Sequence, residues 1–271
     1  MRIAKSRLFA VAVATLAIFS LGCSKQIDQL KARNALNKGV QAFQGSDYPT
    51  AAERFAEATQ LDPTLIDAKA YEAYSYMMQY IPGSEFEEND RIAERAIGLF
   101  MEVLQEDETN MTAVSSLASL YFNMKDFDKA IEWHNRRIEL DPTAADSYYT
   151  IGVISWTRSY EPRLKARADL GMNPEDPGPI KDKEKRAELA ETTGPVIAEG
   201  LESLEKAIEI NPDYSDAMAY VNLLYRERAD LAETPEEYEQ MLASADEWVQ
   251  RTLDTKKRIA EAGTIDQFRE E

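Results

Sequence analysis

"SYYTIGVISW", residues 147–156, decides how this chain is read. Its Tyr, Thr, Ile, Val and Trp side chains are strand formers by composition. The text just before it, "KAIEWHNRRIELDP" at residues 129–142, has the apolar spacing of a helix and stops on an Asp-Pro turn. The stretch is therefore either a strand among helices or a helix whose β-branched residues are tolerated by packing. What lies around it decides between the two.

Working outward, the Asp-Pro phrase returns as "EATQLDPTLIDA" (57–68), "RRIELDPTAADS" (136–147) and "KAIEINPDYSDA" (206–217). Each is an apolar helix end, a turn that Pro cannot continue as helix, and the acid-rich opening of a new helix. Between the turns, residues 111–144 place Leu117, Ala118 and Tyr121 on a first helix and "KDF" (125–127) in a turn. Ala130 and His134 stand on a second helix, and Pro142 closes the unit. Residues 32–65 repeat the plan with Gly39, "SDY" (46–48), Ala51, Phe55, Ala58 and Pro63.

This pattern resembles the tetratricopeptide repeat, a unit of about 34 residues folded as two antiparallel helices, A and B. The resemblance implies an all-α fold, a right-handed superhelix of antiparallel helix pairs with two insertions. About five units cover residues 32–253: 32–65, 66–110 with an insertion near 80–90, 111–144, 145–214 with an insertion near 157–194, and 215–253. Residues 23–31 form an N-terminal tether and 254–271 a charged tail or cap. The second unit closes on Glu108 rather than Pro. Its helices are expected at 66–79 and about 90–105, and those of the fifth at 215–232 and 235–253. The late insertion reads as a short helix after Pro162 ending at Gly171, then a Pro-rich turn and a charged helix over 181–192. In this frame the opening stretch is helix A of the fourth unit, with Ile151 and Gly152 at the repeat's Leu-Gly positions. The segments "YIPGS", "YYTIGVISW", "DPGPIKDK" and "DAMAYVNLLYR" together also resemble a group of acidobacterial tetratricopeptide lipoproteins, a likeness that implies no function.

The first residues read differently. A basic start with Arg2, Lys5 and Arg7 runs into apolar residues 8–21, then Gly22 and Cys23, the only cysteine. The apolar run is short for a membrane span. It resembles a bacterial lipoprotein signal over residues 1–22, which implies acylation at Cys23 and membrane attachment through the lipid. The match is imperfect, since Ser20 and Leu21 stand where Leu and a small residue are usual. Ser24 after the cysteine, by the same likeness, implies the outer membrane, facing the periplasm. One cysteine excludes a disulfide within the chain. The formal charge of −18 repels phosphate backbones and argues against nucleic acid as a partner.

Helix A of each unit lines the concave face of such arrays. Carried over by repeat position, the resemblance implies a partner-binding row of Phe43, Tyr74, Met77, Phe122, Tyr149, Val153, Trp156 and Arg226. Aromatic and Met side chains are enriched at binding hot spots. An apolar stripe at helical spacing is equally what a buried core requires, and the insertions are placed to cover it. The Lys/Asn clamp of chaperone-binding relatives has no counterpart here. Arg158, Arg163, Lys165 and Arg167 form a basic cluster with two readings: an anion or acidic-partner patch, or cations paired with the protein's own carboxylates.

Catalytic motifs are absent. His134 is the only histidine and occupies a packing slot, so no metal site or catalytic dyad is expected, and no cofactor. "SEFEEND" (84–90) lacks the Gly and ligand spacing of a calcium loop. The expectation is a non-enzymatic protein-interaction scaffold that docks a peptide or partner protein, in envelope or secretion/pilus assembly. The alternative is a glycan-binding lipoprotein whose groove aromatics stack on sugars.

Overall fold

The computed structural model describes residues 25–174 and 176–267. The signal segment, Cys23 and the last residues of the tail lie outside the described residues. Helix α1 covers residues 25–44. It is followed by α2 (Tyr48–Leu61), α3 (Ile66–Met77), α4 (Glu87–Glu106), α5 (Met111–Asn123) and α6 (Phe127–Leu140). Then come α7 (Ala145–Asp169), α8 (Lys183–Ile210), α9 (Ser215–Ala229) and α10 (Pro235–Gln267). No strand occurs among the described residues. "SYYTIGVISW" lies inside α7. The fold is the all-α array of paired helices that the repeat pattern implies.

The turns show why the repeat recurs. At each described B-helix end an Asp or Asn side chain accepts a hydrogen bond from the backbone two residues on. Asp62 Oδ1 takes Thr64 N at 3.2 Å, Asp107 takes Thr109 N at 3.0 Å, Asp141 takes Thr143 N at 2.9 Å and Asn211 takes Asp213 N at 3.1 Å. Such side-chain turns need no proline. This explains how the second unit closes on Glu108: Asp107, one residue earlier, makes the same bond as its Pro-bearing counterparts. Within units, Ser46 and Lys125 hold the equivalent left-handed corner, at φ 60° and 59°.

The chain divides into two compact units, Met1–Trp133 and His134–Glu271, with the boundary inside α6. In the first, Phe55 is fully buried and sits where a Cβ on Gly39 would be, 2.7 Å from its ring carbons. In the second, a Cβ on Gly152 would lie 2.3 Å from Leu204 Cγ, so α7 and α8 meet at a contact only glycine permits. Ile197, Leu201, Leu204, Met218, Val221 and Leu224 fill the core of α8 and α9. The loop before α4 is held by Asn89, which bonds both the N–H (2.8 Å) and the C=O (3.0 Å) of Ile81.

The late insertion is built differently from expectation. No separate short helix follows Pro162; α7 runs unbroken from Ala145 to Asp169 with Pro162 inside. Likewise α8 absorbs both the charged segment and residues 195–210, the second helix that the repeat assigns to the fourth unit, with Pro195 inside. An internal Pro removes one ladder bond and costs about 3 kcal/mol. Both helices keep a continuous buried face across it: Ile151, Ser155, Ser159 and Ala166 in α7, and Leu189, Thr193, Ile197 and Gly200 in α8. Most of the insertion therefore lengthens the fourth helical hairpin, whose tip is the loop between Asp169 and Lys183. The tail also differs, since α10 continues as helix through it to Gln267. α4 starts at Glu87, before the expected residue 90.

Candidate functional site

None of the predicted row is buried. Phe43, Tyr74, Met77, Phe122, Tyr149, Val153 and Trp156 are all half-buried, and Arg226 is exposed. One step off the row, Ala73 and Gly152 are buried, as are Gly39, Ala118 and Val221 elsewhere on the same A helices. The A helices thus carry a packed face and a partly open one.

In the first unit the structure brings Phe43 and Tyr74 together, with ring centroids 5.6 Å apart. Tyr48 and Tyr71 join them at 5.3 and 6.3 Å from Phe43. Tyr71 stacks on Phe55 at 5.4 Å and still has 46 % of its surface exposed. Beside these rings is a cavity of about 340 Å³ lined by Asp67, Ala70, Tyr71, Tyr74, Asn110 and Thr112. Phe122 packs on Phe127 instead, at 6.1 Å. Among the described residues no ring contact joins it to that group.

In the second unit Tyr149 and Trp156 both meet Tyr220 edge-on, at 5.7 and 5.6 Å. Tyr214 extends the chain of rings beyond Tyr149 (4.9 Å), and Tyr160 extends it beyond Trp156 (4.9 Å). Burial, followed by neighbouring Tyr220 and Tyr214, pushes the Tyr149 hydroxyl up to about 12. Thr157 Oγ1 donates to the Val153 carbonyl at 2.9 Å. Arg226 is tied down by Asp246 (2.7 Å) and Asn222 (2.9 Å).

Of the basic cluster, Lys165 is exposed and Arg158 half-buried, whereas Arg163 and Arg167 turn inward. Arg167 is 2 % exposed and donates to Asp230 Oδ1 at 2.9 Å, and also to the carbonyls of Asn173 (3.2 Å), Asp176 and Gly178 (3.3 Å). Arg163 bonds Asp230 Oδ2 at 3.1 Å, and its Nε lies 2.7 Å from Glu227 Oε2, off the hydrogen-bond direction. Burial pushes Glu227 up to about 7, against the pull of Arg163 and of a hydrogen bond from Trp156. Burial likewise raises Asp230, opposed first by Arg167. These arginines clamp the hairpin tip onto α9, whose Asp230 carbonyl accepts Ile180 N–H at 3.1 Å.

His134 is buried, with Nδ1 3.2 Å from Ser147 Oγ. Burial, aided by Arg137, pushes it down to about 4, so the ring is neutral at pH 7. Among the described residues no group of His, Cys, Asp and Glu is placed to hold a metal ion. No helix there is long and apolar enough to cross a membrane.

Tyr71, Tyr214 and Tyr220 were outside the sequence-derived row. Tyr220 lies six residues before Arg226 on α9, and Tyr214 precedes that helix altogether. All three are tyrosines off the repeat positions assigned to the groove, so repeat register alone passes over them.

Residues 113–143 match the family model of the tetratricopeptide repeat. Among solved structures the chain is similar to the MamA protein, with a TM-score of 0.57 and 16% identity over 85% of this chain and 94% of that one. A second MamA structure gives 0.54 and 17%, covering 82% and 96%. MamA from residue 41 to its end, from Desulfovibrio magneticus RS-1, gives 0.55 and 12%, covering 84% and 96%. At these identities the likeness is one of fold.

Proposed function

We propose, for what is a tetratricopeptide-repeat protein by both sequence and fold, a task of binding rather than catalysis: a scaffold that docks a peptide or partner protein on the open face of its A helices. The observation that carries this reading is the half-buried state of the entire apolar part of the row. A face belonging only to the core would be buried like Ala73 and Gly152, one step away. Exposed aromatic surface of this kind is what interfaces use as anchors. The glycan alternative is less favoured, because sugar stacking needs free ring faces. Tyr149 and Trp156 instead pack edge-to-face with Tyr220, inside a chain of rings that also takes in Tyr214 and Tyr160.

The scaffold is further proposed to be held in the bacterial envelope by a lipid on Cys23, facing the periplasm from the outer membrane and serving envelope or secretion/pilus assembly. The support is sequence alone: the basic start, the apolar residues 8–21 and the lone cysteine after them. Metabolic labelling with a fatty-acid probe should mark the wild type and not Cys23→Ser. For the binding face, a photo-crosslinking side chain at Tyr74 or Phe122 should trap one defined protein partner in membranes. The same side chain at exposed Glu94 should trap none. Equal crosslinking at all three positions, or retention on polysaccharide with no protein adduct, would sink the scaffold reading.

A further inference from the structure

We propose that the cavity beside α3 is a cation pocket, which takes the guanidinium or ammonium group of a partner segment against Tyr71, Tyr74 and the Asp67 carboxylate. The proposal rests on the scaffold reading and supplies the chemistry of its ligand. Three observations carry it. First, no basic side chain lines the cavity, and Asp67 is its one ionisable acid. Lys69, two residues along the same helix, is 18 % exposed and committed to Glu102 at 3.0 Å.

Second, Asp67 makes no side-chain hydrogen bond or ion pair among the described residues. Its counterparts in the first turns of α7 and α9 are matched: Asp146 by Arg137, and Asp216 by Lys256 at 3.5 Å. All three acids complement a helix N-terminus, so the helix dipole accounts for an acid at each position. It does not account for only one being left without a cation. The half-charge of a helix end also leaves a carboxylate net negative.

Third, the rings are placed to help. Tyr71 has one face on Phe55 and 46 % of its surface exposed, and Tyr74 lines the same cavity. A cation within about 6 Å of a tyrosine ring centre is attracted by the ring's negative face. Arginine and lysine also carry apolar stems that suit such walls. The volume of about 340 Å³ is at the small end for ligand pockets, sized for one long side chain rather than a large ligand. A basic segment is also the partner that a chain of charge −18 attracts at long range.

The test titrates the isotope-labelled full chain with N-acetyl-arginine amide and follows the backbone amide signals of Ala70, Tyr71 and Tyr74 by NMR. Saturable shifts at those amides are expected, weakened at least five-fold by Asp67→Asn and again by Tyr71→Leu, and reduced by salt. Asp216→Asn should leave the binding curve unchanged, and unaltered spectra elsewhere would report that each variant is folded. Equal binding of N-acetyl-norleucine amide would make the cavity a plain apolar pocket and overturn the proposal. Equal binding of methyl glucoside, or no effect of Asp67→Asn, would also overturn it. If the Tyr74 crosslink to a protein persists while the arginine probe fails, the pocket is wrong and the scaffold stands. If the probe binds and no crosslink forms, the pocket stands and the scaffold fails.

Discussion

The two units use the same residue types to opposite ends. In Met1–Trp133 an aromatic group on α1 to α3 leaves Tyr71 open and Asp67 without a partner. In His134–Glu271 the rings of α7 and α9 pack on each other, and Asp146 and Asp216, the first-turn acids of those two helices, are matched by cations. Behind those rings, Arg163 and Arg167 meet Glu227 and Asp230 in a place where none of the four is more than 15 % exposed. Equivalent repeat positions therefore do not imply equivalent roles. The second unit's longer hairpin brings its own arginines to α9, and that contact ties α7 to the end of α9.

The sharpest way to break this contrast is to remove the clamp. Arg167→Ala leaves Asp230 buried with one arginine and strips the donors from the Asn173, Asp176 and Gly178 carbonyls. Breaking one side of a buried pair costs about 3–5 kcal/mol. Urea unfolding should report that loss, with faster amide exchange through residues 170–182. In the first unit the comparable pair is Arg95 with Glu72, 3.0 Å apart, but Arg95 is 54 % exposed. Arg95→Ala should cost less, about 1–2 kcal/mol, because water reaches the Arg95 end of the pair and burial already pushes the Glu72 carboxyl upward, towards its neutral form. Equal losses would remove the distinction between the units.

Next in size are the glycine contacts. Gly152→Ala drives a methyl group to 2.3 Å from Leu204 Cγ, and Gly39→Ala drives one to 2.7 Å from the Phe55 ring. Overpacking of this kind costs about 1–3 kcal/mol, and Gly152→Ala, the tighter, should lose more in thermal unfolding.

These contacts also show what the sequence could and could not reveal. The Asp-Pro turns, Gly39 and Gly152 were legible because a repeat imposes the same local geometry in each copy, so a match at fixed spacing carries physical meaning. The helical state of "SYYTIGVISW" followed from that register, since packing on both sides overrides β propensity. The hairpin extension was not legible, because Pro162 and Pro195 signal breaks locally. Only the buried faces running through them, and partners far along the chain such as Asp230, keep each helix whole. The same distance hid the fate of the basic cluster: nothing near Arg163 or Arg167 in sequence announces Glu227. The open and closed aromatic groups were indistinguishable for a like reason, as Tyr220 meets Trp156 only once α9 is placed beside α7.

A smaller effect separates two buried ionisable groups of the second unit. Glu227 rises from 4.5 to about 7 on folding. The native state then holds an extra proton between those values, so this group's contribution is full below pH 4.5 and is lost as pH rises through 7. His134 falls from 6.5 to about 4, so its contribution is full above pH 6.5 and is lost as pH falls through 4. The two oppose each other between pH 4.5 and 6.5. Glu227→Gln should remove the first, leaving a stability curve that declines more steeply on acidification from pH 6.5. The histidine ring resonances, unambiguous because there is only one histidine, should stay neutral in the wild type down to about pH 5. Protonation near pH 6.5 would mean that the ring is not held in its buried contact with Ser147.

The smallest expected effect tests the units at two glycines in similar surroundings. A Cβ on Gly98 in α4 or on Gly194 in α8 would meet nothing within 4 Å. Both are interior helical positions, where replacing Gly by Ala stabilises by about 0.5–1 kcal/mol through the unfolded chain's lost freedom. Gly98→Ala should show that gain in full. Gly194, however, precedes Pro195, and a residue with a Cβ before proline is pushed out of the helical region by the proline ring. Gly194→Ala should therefore gain nothing or lose stability, despite the open space around it. If both variants gain equally, the strain at Pro195 is already relieved by bending in α8, and the hairpin's continuity needs less from its buried face than the clamp and core suggest.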